Sequence, residues 1–139
     1  MKAITLWQPW ATDMRRGLKL VETRSWPTDH RGPLAIHAGK QIDQVALAYS
    51  GEITYPTGAV LGVVNLIECV YMTEAIIAAQ TMRERLEGDW RPGRFAWITL
   101  PLIWFGDPIP SRGYQKVWDW TPPQWVLDRL TALPVTEVR

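Results

Sequence analysis

Two opposite charges spaced for one strand face, bracketed by large apolar residues, mark where this chain has the means for chemistry: Gly17-Leu18-Lys19-Leu20-Val21-Glu22-Thr23-Arg24-Ser25-Trp26. With Lys19 to Trp26 as a strand, side chains alternate, and Leu20, Glu22, Arg24 and Trp26 share one face. An exposed ion pair in that position contributes only about 0 to 1 kcal/mol to stability. Stability alone is therefore a weak reason for it, and the pair is either a solvated edge of the sheet or the floor of a polar pocket. Lys19 falls on the opposite face by strict alternation, yet it follows directly on the helix-stop residue Gly17, before the pleat is established. Its ammonium can therefore lean over the strand end toward Glu22. A neutral lysine amine acts as base or nucleophile, whereas a charged one holds an anion or polarises a carbonyl; the sequence leaves both open. Glu22 can take a proton from water or orient Lys19, and Arg24 can hold a carbonyl, a phosphate or Glu22 itself.

Other candidates are scattered. Nine tryptophans in 139 residues are the one strong compositional anomaly. Most belong in a core, because an indole removes a large apolar area from water, but Trp7, Trp10, Trp26 and Trp118 are candidate platforms for a stacked base. Gln8 and Gln115 offer donor and acceptor together, as reading the polar edge of a base requires. His37 lies on a short strand and is either hydrogen-bonded structurally or turned toward a ligand. Only two histidines are present, and neither has a partner at metal-ligand spacing, so no metal and no cofactor is assigned.

The elements that must position these groups follow from pattern and punctuation. Lys2 to Trp7 reads as a strand with Ile4 and Leu6 on one face, Pro9 as the first residue of a helix carrying Trp10 and Met14, and Gly17 as its stop. This strand–helix–strand opening delivers Trp7 and Gln8 at one junction and Lys19 at the other. Pro27 to Pro33 is an exposed loop, and Leu34 to Ala38 a strand. A helix is expected over Gln41 to Tyr49, then a turn-rich crossover from Ser50 to Thr57 ending at Gly58. Ala59 to Met72 reads as a long central strand bent at Gly62, with Glu68 a charge where it leaves the core. Thr73 caps one helix from Glu74 to Leu86 with Ala75, Ala79, Met82 and Leu86 turned inward. Gly88 to Gly93 is a loop, Arg94 to Leu100 a strand, and Pro108, Pro110 and Gly113 are breaks. A last helix begins at Thr121-Pro122 and carries Trp125, Val126 and Leu130.

Bulk properties bound the function. The length suits one domain, residues 1–139, with a single core. The lone Cys69 excludes a disulfide framework and a four-thiolate metal site. No signal peptide opens the chain and no apolar run approaches the roughly 20 residues of a membrane helix, so a soluble, cytoplasmic protein is expected. Net charge is +1, which argues against a long phosphate footprint. Residues 1–40 hold seven cations against three anions, a local excess that suits a small anionic or polar ligand or a short single strand.

The combination resembles the ASCH domain, a branch of the PUA-like superfamily, over nearly the whole chain. Trp7-Gln8-Pro9-Trp10-Ala11, Gly17-Leu18-Lys19 with Glu22 to Trp26, and Arg31-Gly32-Pro33-Leu34-Ala35-Ile36-His37-Ala38 carry the likeness. Gly58 to Glu68, Gly93 to Trp97, and Pro108 to Pro110 with Gly113, Gln115 and Trp118 extend it. The resemblance implies an α+β fold, a small twisted β-barrel of about five to six strands flanked by helices, with Gly17, Lys19, Glu22 and Arg24 bordering a cleft. It further implies binding of RNA or of a modified base. Some family members are ribonucleases, and a shorter bacterial branch comprises amidohydrolases that remove the acyl group from N4-acetylcytidine with a Lys, a Thr and a Glu, the Thr three residues after the Lys. Here Glu22 stands at that position and threonine follows at Thr23. Expected from the resemblance is a nucleoside or short single-stranded RNA in the cleft, with hydrolysis of an N4-acyl bond by Lys19, Glu22, Thr23 and Arg24; the alternatives are a non-catalytic RNA-binding module and a ribonuclease.

Overall fold

The computed structural model describes residues 1–48 and 55–134. In chain order its elements are β1 (Lys2–Gln8), α1 (Trp10–Arg15), β2 (Val21–Arg24), β3 (Gly32–Ile42), α2 (Gln44–Leu47), β4 (Ala59–Tyr71), α3 (Glu74–Ala78), α4 (Met82–Leu86), β5 (Phe95–Pro110), β6 (Val117–Asp119) and α5 (Gln124–Thr131). The strands form one mixed sheet in the order β2-β5-β4-β3-β1-β6, with β1 and β3 parallel and the other pairs antiparallel. The expected α+β class holds, with six strands.

Backbone pairing does not close the sheet into a ring: β2 and β6 are its two edges. A side chain spans the gap instead, since the Arg24 guanidinium on β2 donates from Nη2 to the Thr5 carbonyl of β1 at 2.7 Å. The sheet therefore curls far enough for its edge to meet β1, and the cleft opens where that contact is made.

Alternation along the strands sorts the core onto the two faces. Ile4, Leu6, Leu34, Ile36, Leu66 and Trp97 pack with Met14 of α1 on one face, and Ala35, Val60, Val63, Phe105, Trp118 and Trp120 pack with Val126 of α5 on the other. β4 is long and central as its β-branched run requires, and its register slips between Val60 and Gly62. A Cβ at Gly62 would collide with the Ile103 carbonyl, so the bend depends on the missing side chain. Gly17, at φ +76°, ends α1 as read from the sequence, and Glu68 is exposed and paired with Arg31.

Several boundaries differ from expectation. β3 continues through Ile42, so the helix expected from Gln41 is the single turn α2, capped by Asp43; Tyr49 and the start of the crossover lie outside the described residues. The helix expected over Glu74 to Leu86 is two short ones, because Thr81 caps a second start: its hydroxyl accepts from Glu84 N at 3.1 Å. That break turns the expected inward stripe outward, leaving Met82 and Leu86 78% and 75% exposed, while Ile77 packs on Val21, Met72 and Ala96. Pro108 does not break the strand; it lies within β5, which runs ten residues past Leu100 and ends at the other expected break, Pro110. Only Val21–Arg24 of the expected 19–26 strand is paired, and Leu20 is exposed.

Candidate functional site

α1 ends at Gly17 and the chain turns straight into β2, and this geometry fixes Lys19. Its side chain is 1% exposed, and its ammonium donates to the carbonyls of Val21 and Glu87 at 2.7 Å each and stands 3.4 Å from Glu22 Oε1. Three acceptors match the three donors of an ammonium, so the group is fully occupied. The lean toward Glu22 inferred from the sequence is present, but the lysine lies beneath the cleft wall.

Glu22 faces the cleft with its side chain 12% exposed. Oε1 accepts from Thr23 N, and Oε2 accepts from Arg24 Nε and Nη2 at 3.2 and 2.9 Å. Burial alone would raise this carboxyl, but Lys19, Arg24 and the Thr23 amide outweigh it and hold Glu22 below the usual carboxylate range. It is an ionised acceptor with two fixed cations. Arg24 spends Nε and Nη2 on Glu22 and Thr5, and Nη1 makes no hydrogen bond among the described residues. The Thr23 hydroxyl accepts from Asp89 N at 3.0 Å, tying β2 to the loop after α4.

These residues floor a cavity of about 460 Å³. Its aromatic wall is Trp7, Trp10 and Trp26; its polar wall is Glu22, Thr23, Arg24 and Arg94; and Leu86, Glu87, Gly88 and Asp89 form the opposite rim. Trp7 is 48% exposed at the mouth, and Trp26 is held edge-on against the buried Trp97 with ring centroids 4.9 Å apart. The rim is anchored: the Glu84 carboxylate accepts from the amides of Leu20 and Val21, and Trp90 Nε1 donates to the Glu84 carbonyl at 2.8 Å.

Glu87 was not legible as a site residue from the sequence, where it follows an arginine-rich helical run. Burial, then a hydrogen bond and repulsion from the buried Asp13 of α1, push its carboxyl up to about 7, against the pull of Lys19 and Arg83. A carboxyl poised there transfers protons efficiently at neutral pH. Asp89 and Arg94 were missed too; Arg94 donates from Nε to the Asp89 carbonyl at 2.9 Å and so braces the rim.

The structure places other candidates elsewhere. Gln8 is fully buried: its amide accepts from Thr12 N at 3.0 Å and donates to the Thr12 hydroxyl and the Pro56 carbonyl, which secures the start of α1. His37 and Trp118 meet in a second polar cluster on the other side of Thr5. Nε2 of His37 donates to the Ser111 carbonyl at 2.8 Å, leaving Nδ1 as acceptor for the Thr5 hydroxyl at 3.1 Å, and Trp118 Nε1 donates to that hydroxyl. Burial pushes the imidazole below its usual value against the opposing effect of the Ser111 carbonyl. Gln115 is exposed in the loop before β6. Among the described residues no group of three His, Cys, Asp or Glu side chains is arranged to hold a metal ion, and no helix is long and apolar enough to cross a membrane.

A curled six-stranded sheet with a cleft between its edge strand and the helix after β1 is the PUA-like architecture. The family model of the ASCH domain matches residues 4–118, and the chain belongs to that family. Activating signal cointegrator 1 of Mus musculus is 40% identical over 81 residues, and that of Homo sapiens 37% identical over 81 residues; each match covers 48% of this chain and 14% of the relative's own length. The crystal structure of ASCH from Zymomonas mobilis superposes with a TM-score of 0.60 at 19% identity over 95% of this chain and 94% of that one. A mutant of the same protein gives 0.54 at 16% identity over 94% and 96%. At those identities the likeness establishes the fold.

Proposed function

We infer that the cavity binds one nucleobase of a cytosine type and hydrolyses an acyl group from its exocyclic nitrogen. The observation that carries the reading is the pairing, in one cavity, of three indole walls with an ionised acceptor and a cationic donor side by side, Glu22 and Arg24. About 460 Å³ lies within the roughly 300–1,000 Å³ range of small-molecule sites. An N4-acylated cytosine presents an N–H beside carbonyl oxygens, the complement of Glu22 beside Arg24. Stacking between indoles fixes the ring plane and leaves the acyl carbon at the rim, near Glu87.

In this reading Glu87 takes a proton from water as the oxygen attacks the acyl carbon, Arg24 stabilises the developing oxyanion, and the proton passes to the departing exocyclic nitrogen. The products are the free amine and a carboxylic acid. Lys19 acts through others, holding Glu22 and the Glu87 backbone in place, and Thr23 fixes the rim through Asp89. The departure from the Lys-Thr-Glu pattern is thereby given a role: Glu22 reads the base where the bacterial branch has threonine.

The test is a turnover assay on N4-acetylcytidine beside a labelled short RNA. Release of acetate is expected, with kcat/KM rising to a plateau above pH about 7 as Glu87 ionises, and Glu87→Gln is expected to lower kcat by at least about 10²-fold. Saturable binding of the nucleoside without turnover would reduce the site to a base-reading module, and strand cleavage would make it a ribonuclease.

A further inference from the structure

The loop between β5 and β6 carries Arg112, Tyr114 and Lys116, all exposed, and none of them belongs to the base cavity. Tyr114 is 55% exposed with the Arg112 guanidinium 5.6 Å from its ring centroid. Lys116 holds φ +59°, the only non-glycine residue with positive φ among the described residues, a conformation that costs energy. Neither Arg112 nor Lys116 makes an ion pair among the described residues. On the other rim of the cavity Arg94 is paired with Asp89, which also pairs with Arg91 outside the cavity.

Thr5 places this loop beside the cavity. Its carbonyl accepts from Arg24 of the cavity floor, and its hydroxyl oxygen lies 3.3 Å from the Tyr114 carbonyl. Trp7, at the cavity mouth, is two residues along β1 on the same face as Thr5, a separation of roughly 7 Å at the rise of a strand. A stacking ring at the mouth, a second exposed ring on the loop that meets Thr5 and two cations without ion pairs beside it form the pattern by which single strands are held: bases on aromatic rings, phosphates on basic side chains.

We propose that the cavity takes its base from a strand, with the neighbouring nucleotide crossing β1 to stack on Tyr114 and its phosphate held by Arg112 and Lys116. This rests on the nucleobase reading of the cavity and extends it to an oligonucleotide substrate. The reach is one nucleotide and one or two phosphates, consistent with a chain of net charge +1.

The experiment compares free N4-acetylcytidine with a trinucleotide carrying the same base centrally, both titrated by quenching of tryptophan fluorescence at low salt. The trinucleotide should bind roughly 10-fold more tightly or better. Tyr114→Ala should abolish that gain and leave nucleoside affinity unchanged. Arg112→Gln with Lys116→Gln, a surface change that leaves every described backbone contact intact, should remove the salt dependence of the trinucleotide. Equal affinity for the two probes in the unaltered protein, or equal weakening of both by Tyr114→Ala, overturns the second subsite while leaving the cavity reading standing. Failure of both probes to bind overturns the cavity reading itself.

Discussion

Two polar clusters meet at Thr5, and they are built on opposite principles. Toward β2 lie Lys19, Glu22 and Arg24, three charges packed beneath and beside a cavity; toward the β5–β6 loop lie His37, Trp118 and Ser111, joined by neutral hydrogen bonds. The neutral cluster is sealed, because Gly113 presses on it so closely that a Cβ there would stand 2.5 Å from His37 Cε1. The charged cluster keeps one face open, with Glu22 and Arg24 lining the cavity while Lys19 is enclosed behind them. Buried charge is expensive and rarely justified by stability alone. A protein needing only a strap between its sheet edge and β1 has the cheaper solution at hand in the His37 cluster, and the ionic solution is found where a ligand can reach it.

The contrast can be broken by substitution. Lys19→Met should have the largest effect, because it strands the Val21 and Glu87 carbonyls without a donor and removes one of Glu22's two cations. A loss on the order of 3–5 kcal/mol is expected for breaking a buried charged network, read as a shift in the denaturation midpoint. A stability equal to that of the unaltered protein would show that the ammonium is not the brace it is drawn as here. On the sealed side, Gly113→Ala should cost less, about 1–3 kcal/mol for overpacking against an imidazole that has little room to move. It should also leave base binding unchanged, since no residue of the cluster it disturbs lines the cavity. A Gly113→Ala variant that loses base binding while keeping its stability would erase the distinction between the two clusters.

Much of the charged cluster was legible because it is local. Gly17, Lys19, Glu22 and Arg24 lie within eight residues, where a helix stop and strand alternation suffice to bring them together. The indoles of Trp7, Trp10 and Trp26 were placed by the same strand–helix–strand opening. Gln8 and His37 carry the same functional groups a site would use, and only tertiary partners, Thr12 and Pro56 for one and Ser111 and Gly113 for the other, commit them to structure. Glu87 was invisible for the converse reason. Its significance comes from Asp13, 74 positions earlier, and from a break at Thr81 that divides what periodicity reads as a single helix. Helical spacing at Ala75, Ala79, Met82 and Leu86 was genuine in the sequence, but a second capping threonine overrode it. The barrel was legible in strand number and not in closure, which here rests on the Arg24–Thr5 contact between chain segments no local pattern connects.

The most direct test of the account follows the indole N–H resonances of the tryptophans by NMR during titration with N4-acetylcytidine. The account predicts saturable shifts at Trp7, Trp10 and Trp26, which line the cavity, with Trp118 and Trp120, which belong to the other core cluster and do not line it, unmoved. Glu22→Gln should weaken those shifts. Shifts centred on Trp118, or none at any indole, would contradict the assignment of the cavity as the base site.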